Sequence, residues 1–364
     1  MAELTNKIIT YKELHNFSVD NDQFQIASYM TEVRIKTFLN NPFLQNEDDC
    51  AMNLSLYDNI PIGRLMLFPS RIKVDAQVFA TESGSALEVH PNYRKYAVGA
   101  DLMIYWTTKE SYDFIVVAGI SDMALPMYKK LKFHIFEYPR LMMLRNSRSL
   151  LESKGLHGVL LKMGSAVANV LLKCLAFTGF SKSDKLSKKF KVVKETIIPD
   201  WVDDIVLNDG HKYMEVHDRT WLQWNLDYNF HGLKRDIQSF YTVYASDGKP
   251  VAFFMTKERF REVAAGQLKN IVIGSVVEWG TKDAGVIDEA DLTTLALRTF
   301  SKDVDIIETA TDNENSVNKL CKRGFLKHGF AHIAVRDKRR QMPKDFADQK
   351  NWRIRYGYGD VILT

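Results

Sequence analysis

A candidate ligand-binding turn lies at residues 86–103, which read ALEVHPNYRKYAVGADLM. An apolar strand ends near Val89 and Pro91, and the basic residues Arg94 and Lys95 follow in a short loop. Small residues then precede an apolar helix: Ala97, Gly99 and Ala100. The first-turn amides of a helix have no intrahelical partner, its dipole favours an anion there, and small residues let the main chain approach closely. The turn therefore predicts a site for a phosphate-bearing ligand.

The hydrophobic pattern predicts the elements that position this turn. Up to the turn we expect a strand at 6–12, a helix at 22–38, and strands at 52–57, 62–68, 72–80 and 85–89. From the turn onward we expect a helix at 97–112, a buried strand at 114–120, a helix at 122–132 and strands through 133–145. Pro69-Ser70 marks a predicted turn between two of the strands.

Residues 150–190 differ from their surroundings and indicate a connector. An apolar, helical stretch runs to Phe180, and a lysine-rich stretch follows at 181–194. One interpretation is a helix packed between two domains with a solvated loop after it. The alternative is an apolar helix and basic tract that contact an anionic membrane surface. Since no run of 18 uninterrupted apolar residues occurs, the sequence predicts no transmembrane helix.

From about residue 190 the order of predicted elements restarts with little matching sequence, which indicates a duplicated fold. The elements are a strand at 191–196, helices within 198–227, strands at 239–246, 250–256 and 269–279, a helix at 288–301, a strand at 304–310, a helix at 314–323 and strands through 336. The final GYGDVILT predicts a terminal strand. We expect domains at 1–150 and 191–364, joined by the connector at 151–190.

Composition limits the class of protein. The chain has 364 residues, 46% of them apolar, and a net charge of +4, which is too small to argue for nucleic acid binding. Its three cysteines, Cys50, Cys174 and Cys321, are far apart and form no metal-ligand motif. With no apolar signal segment at residues 1–14, these features predict a cytoplasmic protein without a metal site.

The turn resembles motif A of the GCN5-related N-acetyltransferase (GNAT) superfamily, Q/R-x-x-G-x-G/A after a strand ending in Val-x-Pro. Val89 and Pro91 match the strand end, Arg94 the first motif position and Gly99 the second glycine. Ala97 replaces the first glycine. A second family motif, N-x-x-A-x-x-L-Y-x-K-L-G-F, follows at the expected distance, with these matching residues: Ala124, Tyr128, Lys130, Leu131 and Phe133. Met127 takes its Leu position, whereas Ser121 replaces its Asn and Lys132 its Gly.

The resemblance implies an α/β fold with a mixed sheet, two GNAT-like domains in tandem and acetyl-CoA (acyl-CoA) as co-substrate. Backbone N–H groups near Val89 would polarise the thioester, and amides of the turn would hold the diphosphate. The implied CoA-binding residues are Leu87, Val89, Arg94, Lys95, Tyr96, Ala97, Val98, Gly99 and Ala100. The implied reaction is direct attack of an amine on the thioester, with Tyr128 as general acid for the leaving thiolate.

The general base is less well defined by the sequence. Glu88 lies on the strand predicted at 85–89, and Glu82 lies just before it. A carboxylate in a cleft at this strand could accept a proton directly or through water. The alternative for each is a solvated strand carboxylate. His90 is a further candidate, although shaping the turn before Pro91 explains it as well. For Tyr128, the alternative is a half-buried helix residue whose hydroxyl bonds the backbone.

The second half resembles the superfamily more weakly. Its loop GTKDAGVIDEAD at 280–291 is acidic and lacks the motif, so we expect no cofactor there. Trp221 and Trp224 lie in a stretch similar to the eyLxWRY signature of tandem acetyltransferase-like proteins of cell-envelope polysaccharide loci. The alternative is a core-facing aromatic stripe. The expected acceptor is a small amine, and this partial match adds amino sugars to that class.

The sequence is also compatible with two other functions. One is a transferase that uses aminoacyl-tRNA in cell-wall synthesis, which would need a broad basic groove and a weak CoA loop. The other is a CoA-binding or interaction module without catalysis.

Overall fold

The computed structural model describes residues 3–18, 23–27, 30–109, 111–228, 236–264 and 268–363. The first half contains β1 (Leu4–Thr10), α1 (Tyr11–Leu14), α2 (Glu32–Leu39), β2 (Cys50–Tyr57), β3 (Ile60–Val74), β4 (Gln77–Val89), α3 (Val98–Thr108), β5 (Phe114–Ala118), α4 (Leu125–Lys130) and β6 (His134–Leu144). Helices α5 (Arg148–Ser153) and α6 (Gly158–Lys189) connect it to the second half.

The second half contains β7 (Lys191–Glu195), α7 (Trp201–Leu207), β8 (Tyr213–Glu215), α8 (Arg219–Asp227), β9 (Ile237–Tyr244), β10 (Pro250–Ala264), β11 (Leu268–Thr281), α9 (Glu289–Ala296), β12 (Ile306–Ala310), α10 (Glu314–Lys322) and β13 (Leu326–Asp337). Short 3₁₀ helices follow at Lys344–Ala347 and Gln349–Asn351. The predicted mixed α/β fold is therefore confirmed.

One mixed sheet joins both halves and is symmetric in strand order. It runs β1-β2-β3-β4-β5-β13-β6-β12-β11-β10-β9-β7, with β8 attached to β3. Each half contributes an antiparallel four-strand run, followed by a parallel pair: β4 with β5, and β11 with β12. The division into domains at 150 and 191 stays a prediction.

The two halves exchange strands at the centre of the sheet. β13 of the second half lies between β5 and β6 of the first, with Ile333 opposite Ala118 on one side and opposite Phe136 on the other. β6 in turn pairs with β12, with Ile307 opposite Met143. Both halves thus complete each other's sheet, and their apolar faces join in a large common core.

The predicted turn at Pro69-Ser70 is wrong, because β3 continues through it. Proline cannot donate a ladder hydrogen bond and is tolerated where a strand edge lacks a strand partner. The Pro69 carbonyl accepts a 2.9 Å hydrogen bond from the Asn41 side chain, so this edge faces Asn41 between β2 and β8. The proline therefore leaves the pairing with β4 intact.

Other boundaries also differ from the prediction, and the single strand predicted at 72–80 is wrong, because β3 ends at Val74 and β4 begins at Gln77. The helix predicted at 22–38 begins at Glu32, where the Thr31 hydroxyl caps it, and residues 22, 28 and 29 lie outside the described part. The lysine-rich stretch is helical to Lys189 rather than a loop. Lysine is a good helix former, and lysines in the last turn interact favourably with the helix dipole.

The C-terminal segment forms turns instead of the predicted strand. Its amides bond groups other than a neighbouring strand: Gly357 N–H donates to the Val277 carbonyl at 2.8 Å, and Gly359 N–H donates to Glu215 Oε2 at 2.8 Å. We call residues 352–363 the C-terminal strap. It crosses from the second half into the first and ends among buried side chains.

The tryptophans of α8 form the core-facing stripe. Trp221 stacks on Phe43 and Phe68, and the Trp224 indole N–H donates to the Thr37 carbonyl at 3.0 Å. Both rings are buried. Residues 229 and 230 of the same sequence stretch lie outside the described part.

Helix α6 is packed on one face only. By length and composition alone it is long and apolar enough to cross a membrane, and only 17% of its most apolar 18-residue window is buried. A criterion of 18 uninterrupted apolar residues does not detect this helix, because Lys162 and Lys173 interrupt its apolar sequence. One face of α6 is therefore packed as that interpretation requires and the other is not, while its position between two domains stays a prediction.

Candidate functional site

The first half contains a gap where β4 and β5 separate. The two strands pair in parallel over three residue pairs, ending at Ser83 opposite Val116. Beyond that point β4 runs on to Val89, and a cavity of about 300 Å³ opens between the strands. Its lining includes residues of β4, β5, the loop between β5 and α4, α4 and the strap: Ser85, Ala86, Leu87, Val117, Gly119, Ser121, Tyr128 and Asp360.

A β-bulge shapes the β4 wall of this cavity. The register with β3 shifts from Arg64 opposite Glu88 to Met66 opposite Ser85, so Ala86 and Leu87 lie opposite the single residue Leu65. Ala86 has a left-handed φ of 49°. A bulge leaves backbone groups out of the ladder. Main-chain polar groups beside Ala86 and Leu87 are therefore placed to interact with a ligand in the cavity.

The turn after β4 ends in an uncapped helix. Residues Pro91–Tyr96 form a 3₁₀ helix, Ala97 takes φ 60° and ψ 18°, and α3 begins at Val98. In the part of the chain that the structure describes, no side chain caps the α3 N-terminus. Within the described residues the main-chain N–H groups of Val98 and Gly99 are thus available to an anion, whereas that of Ala100 donates to the Ala97 carbonyl at 2.9 Å.

The small residues of the turn leave this N-terminus open. A Cβ added at Gly99 would lie 3.5 Å from Val89, an ordinary contact, so internal packing does not require a glycine. Val98 is buried instead and packs on Gly63, where a Cβ would lie 2.8 Å from it. That close contact fixes α3 against β3.

The predicted CoA-binding residues lie together around the end of β4. Arg94 Nε donates to the Val89 carbonyl at 3.1 Å, which ties the loop to the strand. Lys95 lies over the ring of Tyr96, and both side chains are exposed. Leu87 lines the cavity. The loop therefore presents positive charge beside the α3 N-terminus, next to the cavity.

Tyr128 of α4 is buried at the cavity wall. Its ring packs edge-on against Phe133, with centroids 5.1 Å apart. Among the described residues none forms a hydrogen bond with its hydroxyl, contrary to the backbone partner that a purely structural tyrosine would have. Burial raises the pKa of the hydroxyl above its ordinary value, and Asp360 raises it further. The hydroxyl is therefore protonated and available to a ligand.

Asp360 reaches the same cavity from the C-terminal strap. Its Oδ2 accepts a 2.6 Å hydrogen bond from the Ser85 hydroxyl of β4. Desolvation raises the pKa of this carboxyl, whereas the Ser85 hydrogen bond and the charges of Arg34 and Lys257 oppose the rise. No sequence signal pointed to Asp360, because it lies in a stretch without a motif, 275 positions from Ser85.

The structure does not bring Glu82 and Glu88 to the cavity. Glu88 is half exposed and forms a 2.6 Å ion pair with Arg64. Glu82 is buried and pairs with Lys109 at 3.2 Å. Burial raises the pKa of Glu82, and Lys109 opposes that rise. His90 accepts from the Asn92 N–H at the start of the 3₁₀ helix, as expected for a residue that shapes the turn.

A buried polar network holds the strap that carries Asp360. Arg355 and Glu278 form an ion pair of 2.7 Å, with both side chains fully buried. His217 lies between Glu278 and Glu215, and its Nε2 is 3.1 Å from Glu215. Burial lowers the pKa of His217, but the two carboxylates outweigh burial and raise it overall. The second half thus positions a residue of the first half's cavity.

The corresponding gap of the second half is filled by the chain itself. β11 has a matching register shift next to Val277, and it pairs with β12 over only three residues. Gly357 of the strap packs there so closely that a Cβ would lie 2.6 Å from the Val277 carbonyl oxygen. Tyr356 beside it donates to Glu308 at 2.8 Å. No space for an acyl group remains at Gly357.

The helix after β11 also differs from α3. Its N-terminus is capped by the Asp288 carboxylate, which accepts from Asp291 N–H at 2.9 Å. Glu289 lies in the first turn, and burial raises its pKa to about 7. Carboxyl groups therefore occupy the position at α9 that is open at α3.

Comparisons with known proteins identify the fold. No family model matches the chain, and no curated protein matches it in sequence. Among solved structures, a GCN5-related N-acetyltransferase from Anabaena variabilis is similar, with 8% identity, a TM-score of 0.53, and coverage of 92% of this chain and 73% of that one. Saccharomyces cerevisiae N-myristoyltransferase with bound myristoyl-CoA has 12% identity, a TM-score of 0.56, and coverage of 92% and 82%. The chain therefore has the GNAT fold, as the two motifs predicted.

Proposed function

We propose that this chain is an acyl-CoA-dependent N-acyltransferase whose single active site lies in the first half. The observation that carries the proposal is the uncapped α3 N-terminus beside a cavity that contains a carboxyl group and a tyrosine whose hydroxyl bonds none of the described residues. An anion site joined to an acid and a base is what transfer from a CoA thioester requires. The GNAT fold supports this function.

The α3 amides and the basic loop bind the diphosphate, and the bulge at Ala86 and Leu87 polarises the thioester carbonyl. The amine nitrogen attacks the carbonyl carbon, so that a C–N bond forms and the C–S bond breaks. Asp360 accepts the proton of the amine. Tyr128 donates a proton to the departing thiolate and recovers one from solvent.

Asp360 replaces Glu82 and Glu88 as the proposed base. A raised pKa makes a carboxylate a better proton acceptor near neutral pH. Ser85 orients it, and the strap network fixes its backbone. Glu82 and Glu88 are each neutralised by a basic neighbour outside the cavity.

We propose acetyl as the transferred group. Trp106 of α3 is fully buried and lies so close to Gly84 that a Cβ there would be 2.4 Å from the ring. A long acyl chain has no room between β4 and α3 at that point. The acceptor is a small amine, with amino sugars included, because the cavity of about 300 Å³ must hold the acyl group and the reacting amine together.

Release of free thiol from acetyl-CoA in the presence of a panel of amines, amino sugars among them, tests the proposal. We expect release that depends on at least one amine and that falls when Tyr128 is replaced by Phe. Binding of acetyl-CoA without turnover of any amine, unchanged by Tyr128→Phe, would instead indicate a CoA-binding module. Longer acyl-CoA thioesters in the same assay test the acyl preference.

A further inference from the structure

Helix α6 presents two opposite faces over its 32 residues. One face is buried against the rest of the protein. Its residues recur at helical spacing: Leu161, Ser165, Ala176, Gly179, Ser183 and Leu186. Near its middle, the Asn169 side chain accepts hydrogen bonds of 2.8 Å from the Ser147 N–H and hydroxyl. The helix is therefore attached along its length.

The C-terminal part of α6 packs too tightly to separate easily. A Cβ at Gly179 would lie 2.4 Å from the Arg323 carbonyl oxygen, and one at Gly324 would lie 2.5 Å from that of Leu175. Thr178 also donates to the Lys322 carbonyl at 2.9 Å. Because one face of α6 is packed in this way, the surface that a partner can contact is the opposite, exposed side of the helix.

The free side is apolar over most of its length. Eight large apolar side chains on it are more than half exposed: Val159, Leu160, Met163, Val167, Val170, Leu171, Leu175 and Phe177. From Val159 to Phe177 this surface is roughly 27 Å long at 1.5 Å per residue. Contiguous exposed apolar surface of this extent on a folded protein marks an interaction site.

The same side becomes basic at its C-terminal end. We call the eight exposed apolar residues the apolar stripe. Five helical turns, or eighteen residues, after its members Val167, Val170 and Leu171 come Lys185, Lys188 and Lys189. These three lysines therefore lie on the same side of the helix as the stripe. Two further lysines, Lys162 and Lys173, flank the stripe. All five are exposed, and none forms an ion pair within the described part of the chain. No acidic residue occurs between Glu152 and Asp184.

We propose that this side of α6 docks the protein on an anionic lipid bilayer. The apolar stripe enters the boundary between headgroups and acyl chains, with the helix parallel to the surface. The flanking lysines extend their ammonium groups to the headgroup phosphates, and the three terminal lysines add to that attraction. The docking does not depend on the reaction proposed for the cavity.

Charge favours lipid over a second copy of this chain. Two such helices packed face to face would bring their lysines together, because Asp184, the one acidic residue of α6, already pairs with Arg298. An anionic headgroup layer neutralises all five lysines at once. The attachment of the opposite face also argues against a helix that crosses the bilayer.

Co-sedimentation of the full chain with vesicles tests the proposal. We expect binding to phosphatidylcholine vesicles that contain phosphatidylglycerol, and far weaker binding to phosphatidylcholine alone. Val167→Asp should weaken binding by about tenfold or more. Val78→Asp makes the same change at an exposed valine of β4 and should leave binding unchanged. Charge reversals at Lys185 and Lys189 should each weaken binding on the order of fivefold.

Three results would overturn the proposal. The first is equal binding by the Val167→Asp and Val78→Asp variants, with the fold of both verified by circular dichroism. The second is a dimer in solution that Val167→Asp dissociates, without vesicle binding by the original chain. The third is vesicle-bound protein that resists extraction by high salt and alkaline carbonate, which would indicate a spanning helix.

Discussion

The Ser85 hydroxyl donates a 2.6 Å hydrogen bond to the Asp360 carboxylate, although 275 positions separate the two residues along the chain. Ser85 lies on β4 beside the bulge, and Asp360 arrives on the C-terminal strap. The strap itself is held by residues of the second half. The relationship gives the second half a role in the first half's cavity.

Replacement of Asp360 by Asn should lower kcat/KM by about 10²-fold or more, because the proposed base loses its proton-accepting charge. In the unmodified chain the rate should rise with pH through the pKa of Asp360, which is raised above the ordinary value of about 3.9. That acid limb should disappear in Asp360→Asn. A pH–rate profile that keeps the same limb in the variant would assign the base elsewhere.

Replacement of Tyr128 by Phe should lower kcat by about 10²-fold and leave acetyl-CoA binding unchanged. The hydroxyl has no hydrogen-bond partner among the described residues, so its removal leaves no orphaned group and should hardly change stability. Steady-state kinetics and a thermal melt measure the two effects. A large loss of Tm with normal kcat would indicate a structural tyrosine.

Gly99→Asp should reduce the rise in Tm that acetyl-CoA causes. An added carboxylate in the first turn of α3 favours the helix dipole, so the unliganded protein should not lose stability. The same carboxylate repels the diphosphate and should weaken binding by about tenfold or more, ~1.4 kcal/mol. Gly285→Asp, in the corresponding loop of the second half, is the matched control and should retain the ligand-induced shift.

His217 should make the free energy of unfolding depend on pH. Its pKa is raised in the folded protein by Glu278 and Glu215, so its contribution is complete below the unfolded value of about 6.5. The contribution is lost as the pH rises through the folded pKa. His217→Gln should destabilise the protein by about 3–5 kcal/mol at low pH and flatten this dependence. Urea denaturation at a series of pH values measures both, and a profile unchanged by the substitution would contradict them.

The strand, turn and helix at residues 86–103 were predicted well from the sequence because their signals are local. A strand end, a proline, basic residues and small residues within eighteen positions predict an anion site without any distant contact. Tyr128 was predicted because its motif is also contiguous. The alternation of strands and helices likewise follows from local hydrophobic patterns.

The features that were missed depend on distant contacts. Strand β3 continues through Pro69 because its free edge faces Asn41, and periodicity does not reveal an edge. The strap takes its path from hydrogen bonds to Val277 and Glu215, which lie far from it in the chain. Asp360 therefore reaches the cavity by tertiary contacts alone, whereas Glu88 is on the predicted strand but pairs with Arg64.

A crystal structure of the full chain with acetyl-CoA tests the central claim most directly. We expect the diphosphate against the main-chain N–H groups between Lys95 and Ala100, and the thioester in the cavity between β4 and β5, beside Tyr128 and Asp360. One ligand per chain is expected, because the strap fills the matching gap of the second half. A ligand bound at α9, or a cavity that stays closed at saturating acetyl-CoA, would contradict the account.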